Sequence, residues 1–200
     1  MVKWSVESRL NDIANQSPVA ADGRVYQMRN NHTLTAYDAV DGTPVWRKSA
    51  FSEGTQAAAY GMLFYNDYPN VVAINAATGE DVWTAPVLPA STYGSPAVAY
   101  GKVFVTKGKL RAHDAATGAV VWEAAADSNA GASVANGVVY ASSQDGEWVA
   151  FDARNGQLLW SVTISGNCGG DCVKAVPVVS NGKLFLAGPD GRVRAYGLPR

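Results

Sequence analysis

The 200-residue sequence predicts an all-β fold, a single five-bladed β-propeller of four-stranded antiparallel blades, and three observations carry the prediction. Five of the six tryptophans recur almost regularly: Trp4, Trp46, Trp83, Trp122 and Trp160, at intervals of 42, 37, 39 and 38 residues. Four of these close the same phrase. Each copy also has an upstream two-residue turn that ends in glycine. A four-stranded unit repeating about every 40 residues is the mark of a propeller blade.

The copies follow in order. The phrase reads Ala36-Tyr-Asp-Ala-Val-Asp-Gly-Thr-Pro-Val-Trp46, then Ala73-Ile-Asn-Ala-Ala-Thr-Gly-Glu-Asp-Val-Trp83. The third is Ala112-His-Asp-Ala-Ala-Thr-Gly-Ala-Val-Val-Trp122 and the fourth Ala150-Phe-Asp-Ala-Arg-Asn-Gly-Gln-Leu-Leu-Trp160. Asp38, Asn75, Asp114 and Asp152 each open a turn by side-chain bonding to the backbone, and the glycine four residues later returns the chain. Upstream, Asp22-Gly23, Tyr60-Gly61, Tyr100-Gly101, Asn136-Gly137 and Asn181-Gly182 are tight hairpin turns between apolar runs. In the third copy this places strands near 95–99, 102–106, 109–114 and 119–124. The blades span about 17–50, 55–87, 95–126, 131–165, and 175–200 plus 1–6. His113 stands where other copies have Tyr37, Ile74, Phe151 and Tyr196, so it reads as a packed inter-blade side chain.

The last copy has three strands and no tryptophan strand, whereas Val2-Lys-Trp-Ser-Val6 is a tryptophan strand without the other three. Joining them completes a fifth blade, three strands plus one, and closes the ring without exposed sheet edges. The rival reading is a piece of a larger propeller.

Composition narrows the function. Sixteen basic and seventeen acidic residues give a net charge of −1, which argues against a nucleic-acid partner. No apolar stretch approaches the ~18 residues of a membrane helix, so no membrane insertion is expected. The opening Met1-Val2-Lys3-Trp4 lacks the apolar core of an export signal. Cys168 and Cys172 lie in the glycine-rich Gly166–Lys174 loop, where a short disulfide is expected; two free thiols are the alternative. A disulfide implies a periplasmic or secreted protein whose export signal has been removed, and free thiols a cytoplasmic one. With two histidines that share no pairing spacing, no metal site is expected.

Through the pattern Ala-x-Asp-x-x-Thr-Gly-x-x-x-Trp the whole chain resembles the quinoprotein-like (PQQ-like) β-propeller repeat family. Asp41 and Asn155 replace Thr, and Asn75 replaces Asp. The resemblance implies that Trp4, Trp46, Trp83, Trp122 and Trp160 dock between blades as structural residues. Family members include alcohol dehydrogenases holding pyrroloquinoline quinone and calcium in a larger ring, outer-membrane assembly scaffolds, and sensor domains of receptors. The dehydrogenases use adjacent cysteines against the cofactor. Here the cysteines are four positions apart, so a small member with no quinone site and no cofactor is expected.

Function should reside on the face carrying inter-blade links and second-to-third strand turns, because the irregular residues gather there. Candidate ligand-binding residues are Asp67, Tyr68, Tyr93, Glu147, Trp148 and Asn167. Trp148 is the tryptophan outside the repeat; it either stacks on a ligand or covers a neighbouring blade. Asp145 and Glu147 could form a carboxylate pair of the glycosidase type, but Asp145-Gly146 also matches the ordinary Asp190-Gly191 turn. No nucleophile motif is present. The expected function is a monomeric, non-catalytic module that binds a protein partner or a cell-envelope glycan. A minimal or engineered propeller without a ligand, and a small glycan-active enzyme, are the alternatives.

Overall fold

In a computed structural model, residues 2–6, 16–52, 54–87, 94–126, 130–142, 146–165 and 175–197 are described. The first blade comprises β1 (Val19–Ala21), β2 (Arg24–Met28), β3 (Thr33–Asp38) and β4 (Pro44–Ser49). The second is β5 (Ala57–Ala59), β6 (Met62–Asp67), β7 (Asn70–Asn75) and β8 (Asp81–Pro86). The third is β9 (Ala97–Ala99), β10 (Lys102–Lys107), β11 (Lys109–Asp114) and β12 (Val120–Ala124). The fourth is β13 (Ser133–Ala135), β14 (Val138–Ser142), β15 (Glu147–Asp152) and β16 (Leu158–Thr163). The last sheet holds β17 (Val178–Ser180), β18 (Lys183–Ala187) and β19 (Val193–Gly197). Each sheet is an antiparallel meander in sequence order, as a propeller blade requires.

The first hairpin turn of every blade has positive φ at both central residues, from Asp22 (49°) and Gly23 (71°) to Asn181 (49°) and Gly182 (67°). That is the type I′ geometry whose twist suits two-residue hairpins. In β3 the phrase alanine faces the tryptophan of the next strand: Ala36 opposite Trp46, and likewise Ala73 and Trp83, Ala112 and Trp122, Ala150 and Trp160. Each pairing is followed by a bulge.

The register decides the core. Tyr26, Met28, Leu34 and Ala36 on one face of blade 1 pack against Leu63, Tyr65, Val72 and Ile74 of blade 2. Equivalent clusters join blades 2 and 3, 3 and 4, and 4 and 5. Both faces of a middle blade are therefore dry, which is why its strands read as continuous apolar runs.

The expected closure is not observed. Residues 2–6 form no strand, the last sheet keeps three strands, and among the described residues no core cluster joins blade 5 to blade 1. Trp4 nevertheless takes the place of a preceding blade's tryptophan. Its indole lies over Gly42 and its Nε1 donates to the Ala39 carbonyl oxygen at 3.0 Å. Counting strands matched a fourth strand to a three-stranded sheet, but a count does not make the two pair.

Candidate functional site

Two faces of the blades differ in what their loops do. On one, the two turns of each of the first four blades are tied together: the Ala39, Ala76, Ala115 and Ala153 N–H groups donate to the carbonyls of Gly23, Gly61, Gly101 and Gly137. The indole Nε1 of Trp46, Trp83 and Trp122 donates to the carbonyls of Ala76, Ala115 and Ala153 at 2.9–3.2 Å. A Cβ at Gly79, Gly118 or Gly156 would lie 2.6–2.8 Å from the docked ring, and each glycine has φ of 74–78°. Only glycine fits these two demands together. The Tyr60 and Tyr100 hydroxyls accept from the N–H groups of Gly101 and Gly137, at 2.9 and 2.8 Å, in the next blade. This face is committed to holding blades together.

The other face carries the inter-blade links and the second-to-third strand turns. The N–H groups of Ala50, Val87 and Ile164 donate to the carbonyls of His32, Pro69 and Gly146, which ties three of the links to the turns beside them. Asp67 Oδ1 accepts from the Phe51 N–H at 3.1 Å. Burial holds the Asp67 carboxyl above the ordinary carboxylate range, against the lowering effect of the Phe51 N–H and of Lys48. His32, with φ of 61°, stacks on Phe51 with centroids 4.2 Å apart. Phe51 is 47% exposed and Tyr68 53% exposed. Blades 1 and 2 thus place His32, Phe51, Asp67 and Tyr68 around one link. Of these, Asp67 and Tyr68 are among the residues singled out in the sequence. Phe51 is not; its signal was a lone aromatic residue directly after a tryptophan strand.

Trp148 is on no surface. It is 1% exposed and packs with Tyr140, Ile164, Leu184 and Leu186 between blades 4 and 5, its Nε1 without a partner among the described residues. It lies two residues before Ala150, the place held by Leu34, Val71 and Leu110, all fully buried. The ring covers a neighbouring blade rather than stacking on a ligand. Glu147 begins β15 opposite Thr163 and is half-buried. Tyr93, Asp145, Asn167, Cys168 and Cys172 lie outside the described residues.

His113 is fully buried beside Trp83, with Nδ1 2.9 Å from the Gly118 carbonyl oxygen. Burial, the largest influence, holds its pKa below the usual imidazole value. Toward the loop-face ends of the strands stand neutral donors. Gln56 Nε2 donates to Gln16 Oε1 at 2.7 Å, and the Asn66 amide and Thr106 hydroxyl bond the Gly94 and Ala130 carbonyls. Among the described residues no group of three or more His, Cys, Asp or Glu side chains could hold a metal ion. Among the described residues this donor set does not fit a calcium–quinone pair.

The blades superpose on BamB from Moraxella catarrhalis with a TM-score of 0.80 at 18% identity, covering 98% of this chain and 61% of that one. A quinohemoprotein alcohol dehydrogenase from Pseudomonas putida gives 0.75 at 18% identity, over 98% of this chain and 44% of that one. One from Comamonas testosteroni gives 0.73 at 15%, over 95% and 44%. The chain thus spans about three fifths of the first structure and under half of the others. No curated protein sequence matches it. A family model described as outer membrane protein assembly factor BamB matches residues 2–106 and again 106–198. Repeat phrase, blade geometry and a family match over nearly the whole length agree: the chain belongs to the PQQ-like β-propeller repeat family described by that assembly factor.

Proposed function

We propose that this chain is a non-catalytic scaffold of the cell envelope that binds a polypeptide partner through the face carrying the inter-blade links. The observation that carries the reading is the division of labour between faces. Scaffold turns occupy one face in every blade, so they cannot encode a particular partner. The link face differs from blade to blade and displays His32, Phe51 and Tyr68 beside the Asp67 carboxylate. Exposed aromatic rings with small conformational freedom make good contact anchors. Neither described histidine is placed as a base: His113 is turned to a backbone carbonyl and His32 is stacked on a ring. The family's description as an outer-membrane assembly factor supports a polypeptide partner.

A photo-reactive phenylalanine analogue at position 51 or 68, tested against purified outer-membrane assembly components, should crosslink to one of them. The same analogue at position 60 or 100 is the control, because both tyrosines belong to the scaffold face. Crosslinks only from 60 and 100 would overturn the assignment of the face. Turnover of an envelope glycan by the purified chain would overturn the non-catalytic reading.

A further inference from the structure

Around the link between blades 1 and 2 the charges do not balance. Of the charged groups that act on the Asp67 carboxylate, Lys48 and His32 favour its ionised form and Asp81 opposes it. Lys48 is already paired: its Nζ lies 2.9 Å from Asp81 Oδ2. The His32 ring is stacked on Phe51 rather than bonded to the carboxylate. Tyr65 stands two residues before Asp67 on β6, on the same face of the sheet. It is 1% exposed, and its hydroxyl has no partner among the described residues. Half-buried Asp67 is left with one hydrogen bond, from the Phe51 N–H to Oδ1, and among the described residues nothing bonds its Oδ2.

Two aromatic side chains flank this carboxylate. Phe51, whose N–H holds Oδ1, has one ring face on His32 and is still 47% exposed. Tyr68 follows Asp67 directly and is 53% exposed. The combination is peculiar to blade 2 and does not belong to the repeat. Six residues after the hairpin glycine, where blade 2 has Asp67, the other blades carry Arg29, Lys107, Ser143 and Gly188.

We infer that this cluster receives an arginine side chain of the partner polypeptide, an assignment that rests on the polypeptide-binding reading of the link face. The guanidinium donates to Asp67 Oδ2 while its plane lies on an exposed ring of Phe51 or Tyr68. Arginine uses both features at once, because its planar fork donates along the edge and stacks through the face. A lysine ammonium, compact and strongly hydrated, gains less from the rings. An apolar anchor would bury the carboxylate further without giving it a partner, which costs free energy. Burial already holds the Asp67 carboxyl above the ordinary carboxylate range, so an incoming cation also restores its ionised form.

Random short peptides displayed on phage and panned on the full chain test the inference. Arginine should be enriched among the peptides that the wild type retains. The enrichment should vanish on Asp67→Asn, whose Oδ1 can still accept from the Phe51 N–H. For the tightest peptide, Asp67→Asn should raise Kd by about tenfold or more. Citrulline in place of the peptide's arginine keeps the shape and removes the charge. It should cost a similar factor on the wild type and little on Asp67→Asn, because both changes remove one interaction. Phe51→Leu and Tyr68→Leu keep an apolar side chain but lose the π face, and at least one should weaken the same peptide. Glu80→Gln, which removes an exposed carboxylate from the scaffold face, should leave Kd unchanged. Additive losses from citrulline and Asp67→Asn would place the arginine elsewhere and overturn the inference. Equal enrichment of lysine, no effect of either leucine variant, or retained peptides without an arginine preference would overturn it too. In that last case, crosslinks to the peptides from positions 51 and 68 would preserve the reading of the link face, whereas crosslinks only from 60 and 100 would remove both.

Discussion

Leu110 in blade 3 and Val193 in blade 5 hold the same place in the repeat, two residues before the phrase alanine, yet Leu110 is fully buried and Val193 is 73% exposed. The alanines that follow differ in the same way: Ala112 is buried, Ala195 exposed. Strand, register and residue type are alike at both places, so the difference comes from the neighbour. Blade 3 is followed by β13 to β16, whose Val139, Val149 and Phe151 cover it; among the described residues nothing follows blade 5. The apolar face is specified blade by blade, but its stabilisation belongs to pairs of blades. Repeat proteins draw stability from such nearest-neighbour interfaces.

That contrast can be broken by substitution. The largest effect should come from Trp122→Ala, which removes an 8% exposed ring and its bond to Ala153, at a cost of about 3–5 kcal/mol in denaturant unfolding. Trp4→Ala should cost clearly less, since its ring is only half-buried. Trp148→Ala should match Trp122→Ala, and Trp148→Leu should be milder. The latter installs the residue used in blades 1 and 3 and removes an indole N–H that has no partner among the described residues. Leu110→Ala should cost about 2–5 kcal/mol, and Val193→Ala no more than about 0.5 kcal/mol. Equal losses at 110 and 193 would mean that blade 5 is covered.

Two smaller effects depend on pH. Unfolding frees the His113 imidazole to its ordinary pKa of ~6.5, while burial holds it lower in the fold. Its contribution is therefore complete above about pH 6.5 and is lost as pH falls toward the folded value. His113→Phe, the residue blade 4 uses, should flatten stability between pH 7 and 5. Smallest is Glu123, whose carboxyl Lys109 and Arg111 hold down at about 2 from an ordinary 4.5. Its contribution is present above about pH 4.5 and disappears as pH falls toward 2. Glu123→Gln should lower stability slightly at pH 7 and leave it unchanged near pH 2, by thermal melting at low salt.

Much of this was legible in the residues. The four phrases specify the turns, the alanine–tryptophan pairing and the glycines under the rings, because these contacts are local and recur. His113 could be placed by alignment with Phe151. Trp148 could have been placed in the same way, two residues before Ala150. Its size and rarity drew the eye to ligand stacking instead of to the column it shares with Leu34, Val71 and Leu110. The link face was legible as a place but not as a surface. The stacking of His32 on Phe51 and the bond from Phe51 to Asp67 join different blades through segments that do not repeat, so no internal comparison could reveal them. The pairing of residues 2–6 was not legible either, since matching a strand count to a three-stranded sheet does not show that the two pair.

Hydrogen exchange, read strand by strand, tests the central contrast most directly. Exchange protection follows local opening free energy, which is lowest where few buried contacts must be broken. The account predicts strong, similar protection across β6, β7, β10 and β11, and the fastest exchange among the inner strands in β18 and β19. Protection in β19 equal to that in β11 would contradict it, because blade 5 would then be packed on both faces as the middle blades are.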